Sequence, residues 1–170
     1  FLFVCSFFRD PKRDIKREEH TIYSPADGKV LEIKEIEYEG KPYYQLIIFL
    51  SVFNCHVNRI PYKGKVRSTE HVSGKFLAAF RKDLDKKNER QETIIDTDRG
   101  TMKVLQITGA IARRILCHLK PHQSVQTGER FGLIRFGSRT DLFFPRETQV
   151  LIKKGQNVKG GLTKVATFSF

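Results

Sequence analysis

The run LIIFLSVF, residues 46–53, limits the possible folds more than any other stretch of the chain. It is nearly all apolar, so as a strand it needs cover on both faces, and it is short for a buried helix. A strand over residues 43–53 in the interior of packed sheets is the expectation. The neighbouring segments agree with it. Ser24-Pro25-Ala26-Asp27-Gly28 is a turn signal with an Asp-Gly pair, residues 29–37 (KVLEIKEIE) alternate apolar and polar, and Glu39-Gly40-Lys41-Pro42 turns the chain back.

Downstream, residues 64–72, 92–95, 101–107 and 111–119 have strand character, with Gly100 and Gly109 marking turns. Residues 76–80 (FLAAF) form the best helical patch, and the charged run 81–90 reads as a solvated loop. In the last third, residues 123–128 and 156–161 share the pattern Q-x-V-x-x-G, each ahead of a β-prone segment, 131–136 and 162–168. Either two similar hairpin-like units pack together, or common turn chemistry has produced the match twice. With about nine to eleven short strands and little helix, the chain is expected to be mainly β. The fold class is α+β with few short helices, its antiparallel sheets packed in a single domain.

Lys and Arg outnumber Asp and Glu by 31 to 19, a net charge of +12, which calls for an anionic partner: a membrane surface, an acidic ligand or nucleic acid. That charge is dispersed, and no run alternates stacking aromatics with basic residues, which speaks against nucleic acid. Cys5, Cys55 and Cys117 lie far apart without metal-ligand spacing, so neither a zinc site nor a disulfide framework is supported and a reducing compartment is expected. The chain begins at Phe1 and its only methionine is Met102, the pattern of the downstream part of a longer product. Residues 1–8 (FLFVCSFF) followed by Arg9, Lys12, Arg13, Lys16 and Arg17 suit the cytoplasmic end of a membrane segment, although eight residues cannot span a bilayer; a first core strand is the other reading. The division expected is a membrane-proximal segment, 1–20, and a β domain, 21–170.

Three places carry polar groups where chemistry could occur. Asp27 sits on the first turn. His56 follows the apolar run in the series Asn54, His56, Asn58, which a continued pleat places on one face, so that His56 leaves the core in polar company. Gly137-Ser138 interrupts a β-prone run, and glycine there allows backbone angles that could bring its carbonyl to the Ser138 hydroxyl; a bulge or bend is the structural alternative. Arg135 and Arg139 flank that pair and, on a regular strand, share a face with Gly137. Guanidinium pairs bidentately with carboxylate or phosphate, so both are candidates for substrate binding; a solvated surface explains them equally.

Six motifs, in order and at matching spacing, resemble the short form of phosphatidylserine decarboxylase: SPADGKV (24–30), FLSVFNCHVNRIPYKGKV (49–66), SGKFLAA (73–79), NER (88–90), GAIARRI (109–115) and ERFGLIRFGSRTDLFFP (129–145). FFRDPKR (7–13) also resembles the point where members of that family leave their membrane-associated segment. The resemblance implies a proenzyme that cuts itself between Gly137 and Ser138 into chains 1–137 and 138–170. The Ser138 hydroxyl would attack the Gly137 carbonyl, an acyl shift from nitrogen to oxygen and elimination would leave dehydroalanine, and hydrolysis would give a pyruvoyl group at residue 138. The pyruvoyl carbonyl would take up the amine of phosphatidylserine and act as electron sink while carbon dioxide leaves, giving phosphatidylethanolamine without metal or pyridoxal phosphate.

By the same resemblance Asp27 and His56 would assist the serine and the proton transfers, in the manner of a Ser-His-Asp hydrolase. Longer relatives carry two histidines three residues apart; here Arg59 takes the second place, and Arg is no base at ordinary pH. His56 serves both steps, or another group activates Ser138. His71, His118 and His122 are outside candidates. The partners implied are phosphatidylserine in an anionic membrane, at its cytoplasmic face, and the two chains of one precursor; a homo-oligomer is compatible, and the 76–80 patch beside Lys75 and Arg81, with residues 88–90, could touch the bilayer. The competing class is a non-enzymatic basic β domain that binds anionic lipid or nucleic acid.

Overall fold

The computed structural model describes residues 7–75, 77, 84–109, 114–134 and 138–169. The described residues contain fourteen strands: β1 (Thr21–Tyr23), β2 (Gly28–Tyr38), β3 (Lys41–Leu50), β4 (Val57–Arg59), β5 (Gly64–Val72), β6 (Arg90–Thr97), β7 (Gly100–Ile107), β8 (Ile115–Cys117), β9 (Ser124–Val125), β10 (Arg130–Ile134), β11 (Ser138–Pro145), β12 (Thr148–Val150), β13 (Asn157–Val158) and β14 (Lys164–Phe168). One helical turn, α1 (Leu84–Lys87), lies inside the charged run read as a loop. Eight strands form one antiparallel sheet in the order β13-β2-β3-β11-β7-β6-β5-β9; β4-β10-β8 and β1-β14-β12 form two smaller ones.

The apolar run behaves as its composition requires. Gln45, Leu46, Ile47 and Ile48 are buried in succession on β3. Leu46, Ile48 and Leu50 face the main core with Val104, Leu142 and Phe144, and Phe49 on the other face packs with Tyr43, Leu105, Ile107 and Phe143. Each such side chain contributes roughly 1.5–3 kcal/mol on burial. The strand stops at Leu50, short of the expected residue 53. Asn54 causes this: its Oδ1 accepts hydrogen bonds from the Ser51 amide and hydroxyl, both at 2.8 Å, and its own amide donates to the Ser51 carbonyl at 3.0 Å. The chain turns there before resuming as β4.

The echo in the last third is structural, and it extends further than the sequence pattern. β13 pairs with the start of β2 (Val158 opposite Gly28), and β9 pairs with the start of β5 (Val125 opposite Gly64). Gln156 accepts from the Val30 amide at 2.9 Å through its carbonyl, and Gln123 does the same for Val66 at 2.8 Å. Register shifts follow Val30 and Val66 alike. The second half of the relation is PADGKV (25–30) against PYKGKV (61–66), a repeat overlooked in the sequence. The two copies bind each other reciprocally: the Tyr23 amide donates to the Pro61 carbonyl at 2.9 Å and the Arg59 amide to the Pro25 carbonyl at 2.8 Å. A Cβ on Gly28 would lie 2.2 Å from the Phe49 carbonyl oxygen and one on Gly64 2.3 Å from that of Asp96, so glycine is needed at both for close strand approach. The eight-stranded sheet thus reads the same way from either end, with β11 and β7 at its centre.

Candidate active site

His56 lies between the Ser51–Asn54 turn and β4, which changes its expected setting: it is wholly buried, as is Asn58. Its Nδ1 stands 2.9 Å from the Asn54 carbonyl oxygen. A carbonyl only accepts, so Nδ1 carries the hydrogen and Nε2 presents its lone pair. Nε2 is buried with no hydrogen-bond partner among the described residues. The Phe7 ring covers the imidazole, centroids 4.1 Å apart and planes at 33°. Burial pushes the His56 pKa down to about 4, against the opposing pull of the Asn54 carbonyl; Arg9 adds to the drop and Asp27 opposes it. The ring is therefore neutral at physiological pH and able to accept a proton at Nε2.

Side-chain hydrogen bonds tie β4, which follows His56, to β11. Asn58 Nδ2 donates to the Thr140 hydroxyl at 3.3 Å, and Gln106 Nε2 donates to Asn58 Oδ1 at 2.9 Å, joining β4 to the central pair of strands. His56 and Ser138 each lie two residues before this junction. The Ile134 amide donates to the His56 carbonyl at 3.4 Å, so the end of β10 also reaches His56. Ser138 pairs with Leu50 on β3, whereas the ladder to β7 begins only at Arg139. Gly137 and Arg135 lie outside the described residues.

Asp27 sits on its turn against β4, but its partners differ from those of a hydrolase triad. Arg13 grips it with both nitrogens, Nη1 to Oδ1 at 2.6 Å and Nη2 to Oδ2 at 2.7 Å, and the Gly160 amide donates to Oδ1 at 2.8 Å. Hydrogen bonding to Asp27 holds the Arg13 guanidinium further above its usual range, against the effect of burial. Among the described contacts no hydrogen bond joins Asp27 to His56; the orienting role on Nδ1 belongs to Asn54. The second copy of the repeat has Lys63 in the place of Asp27, and there the Lys63 amide donates to the Thr127 hydroxyl at 2.9 Å. The acid is present on one side of the pseudosymmetric frame.

Arg59 replaces a base with an anchor. Its Nη1 donates to the Gly128 carbonyl at 3.0 Å and its Nη2 meets Asp10 at 3.3 Å, while Asp10 also holds Arg130 at 2.6 Å. Burial lowers the Arg59 pKa, and Arg130 and Arg13 add to that. Arg139 is buried and forked onto Asp141, Nε to Oδ1 and Nη2 to Oδ2 both at 2.6 Å, with Gln45 donating to Oδ2 at 2.8 Å. Its guanidinium is thus engaged inside the sheet. His71 faces Glu89 at 3.4 Å, His122 occupies a turn at φ 68°, and the His118 amide donates to Phe131, all structural positions. Of the 76–80 patch only Leu77 is described; its amide and carbonyl bind the Asn88 side chain.

Sequence reasoning passed over Phe7, Arg13 and Asn54. The signal for the first two was FFRDPKR, four of whose residues meet the site region: Phe7 on His56, Arg9 donating to the Phe53 carbonyl at 2.5 Å, Asp10 on Arg59, Arg13 on Asp27.

The family model for phosphatidylserine decarboxylase matches residues 1–166. The chain belongs to the phosphatidylserine decarboxylase family. It is 44% identical to the phosphatidylserine decarboxylase proenzyme of Syntrophus aciditrophicus over 98% of this chain and 80% of that protein. It is 46% identical to the one of Ehrlichia chaffeensis over 97% and 75%, and 42% identical to the one of Wolbachia pipientis wMel over 98% and 76%. Membership of this family of decarboxylases disfavours the non-enzymatic alternative.

Proposed function

We propose that the chain is made as a proenzyme, cuts itself between Gly137 and Ser138, and then decarboxylates phosphatidylserine to phosphatidylethanolamine with a pyruvoyl group formed from Ser138. The observation that supports this reading is the His56 imidazole, neutral, fixed through Nδ1 and bare at Nε2 among the described residues, two positions before the Asn58 side chain that bonds Thr140 of β11.

In self-cleavage, His56 Nε2 takes the proton of the Ser138 hydroxyl as its oxygen attacks the Gly137 carbonyl. The Gly137–Ser138 amide gives way to an ester, whose elimination releases residue 137 as a carboxylate; water then removes the nitrogen of residue 138 as ammonia. The imidazolium formed at His56 is buried, and the negative charge of Asp27 favours it through space. The bare, buried Nε2 fits a group at residue 138 whose reactions need proton transfers, because nothing described competes for it. The pyruvoyl carbonyl supplies an electron sink that no side chain offers. His56 would return a proton to the carbon that has lost carbon dioxide, while the covering Phe7 ring excludes water from Nε2.

An anionic membrane as the source of substrate is supported by the net charge of +12 and by the exposed Phe8 and Phe53 side chains, with Arg9 next to the first in sequence and bonded to the backbone carbonyl of the second. Residues 1–20 would face that surface on the cytoplasmic side.

Denaturing mass spectrometry of the purified protein tests the reading. Two chains, 1–137 and 138–170, are expected, the smaller one lacking a free amine and shifted by hydroxylamine. A single intact chain after prolonged incubation refutes it.

A further inference from the structure

We propose that Arg13 is a positioning residue of the self-processing site, and that the strap of residues 7–13 completes this site. The inference rests on the reading of Asp27 as part of that site and extends it to a residue to which no role was assigned. Arg13 reaches Asp27 across 14 positions of sequence, with side-chain exposures of 6% and 12%. Its Nη1 also donates to the Gly160 carbonyl at 2.5 Å, and the Gly160 amide donates back to Asp27 Oδ1. Three groups thus form a closed ring: the guanidinium spans the carboxylate and the peptide, and the peptide spans the guanidinium and the carboxylate. A planar fork in this geometry fixes the rotation of the carboxylate.

Each neighbouring contact holds the strap in register for that grip. Asp10 is clamped by Arg59 and Arg130, and Ile15 packs where Gly128 and Gly161, both in the left-handed region at φ 79° and 74°, leave room for it. The Arg9 carbonyl accepts from Cys55 Sγ at 3.4 Å, next to His56. Arg59, in the place of a second histidine, ties down through Asp10 the segment that delivers Arg13. Without Arg13, Asp27 would keep a single backbone donor, the Gly160 amide, and lose the fork that fixes its rotation.

The test is the first-order rate of chain cleavage in freshly translated full-length protein at pH 7, followed by mass spectrometry. Arg13→Ala is expected to slow cleavage by about 10- to 100-fold. Arg13→Lys should recover part of that loss, since ammonium supplies charge without the fork. In an Asp27→Asn background, Arg13→Ala should change nothing further, and this neutral pair also avoids leaving a buried charge alone. Equal or faster cleavage by Arg13→Ala overturns the proposal, as does a loss that adds in full to that of Asp27→Asn. If Arg13→Ala does not fold, a further loss in the double variant over Asp27→Asn overturns it. Wild-type cleavage by Asp27→Asn would instead remove the underlying reading of Asp27.

Discussion

The Ser138→Ala protein is expected to remain one chain of 170 residues and to release no carbon dioxide from phosphatidylserine. The substitution removes a single oxygen at the first residue of β11, where the backbone pairs with Leu50, so the ladder and the fold are kept. What disappears is the nucleophile for the Gly137 carbonyl and, with it, the source of the ketone. No other side chain can accept the electron pair left by carbon dioxide, so turnover falls to the uncatalysed background, a loss of at least about a millionfold. Mass spectrometry and trapping of labelled carbon dioxide read the two consequences separately. Cleavage into two chains, or release at the wild-type rate, would remove Ser138 from both roles.

His56→Ala is expected to slow chain cleavage by about 10²- to 10⁴-fold, the span of a general base. The pH profile identifies the group. With its pKa pushed down to about 4 by burial, His56 stays neutral through pH 6, where a histidine of ordinary pKa, about 6.5, is mostly protonated. Cleavage of the wild-type precursor should therefore hold its rate from pH 8 down to pH 6 and fall only at more acid values. A base of such low pKa is weak, which suits a reaction each molecule performs once. A midpoint near 6.5, or wild-type cleavage by His56→Ala, would show that another group activates Ser138. Turnover should be followed in the same variant, because the protonation step after decarboxylation can fail independently.

How much of this was legible depended on range. The buried character of β3 was readable because the five consecutive apolar residues from Leu46 to Leu50 leave no polar face, and the 64–72 strand appeared at its expected bounds. The position of His56 was misread because the pleat was continued through Asn54, whose side chain instead folds back on Ser51; a polar residue that can cap a turn looks the same in sequence as one on a strand face. The short turn α1 was hidden in a charged run with no apolar period to reveal it. Ser138, His56 and Asp27 were named by motif resemblance, yet their partners were not, since the contacts of Asp27 come from 14 and 133 positions away. Local pattern carries no information about such pairs. PADGKV and PYKGKV were both visible, but their relation becomes physical only through the reciprocal bonds from the Arg59 amide to the Pro25 carbonyl and from the Tyr23 amide to the Pro61 carbonyl.

The strand that begins at Ser138 lies between β3 and β7, in the middle of the largest sheet, and both neighbours belong to residues 1–137. Cutting the chain there, as proposed, would make the molecule a one-way product. The smaller fragment would carry β11 through β14, short segments set in place by the uncut chain, so the precursor would act as its own folding template and discard the covalent link afterwards. Separated fragments would have to find a central strand by bimolecular encounter, with exposed sheet edges competing for each other. After dilution from denaturant, Ser138→Ala should recover its native circular dichroism while the cleaved protein aggregates; equal recovery of the two would mean that the order of folding and cutting leaves no trace.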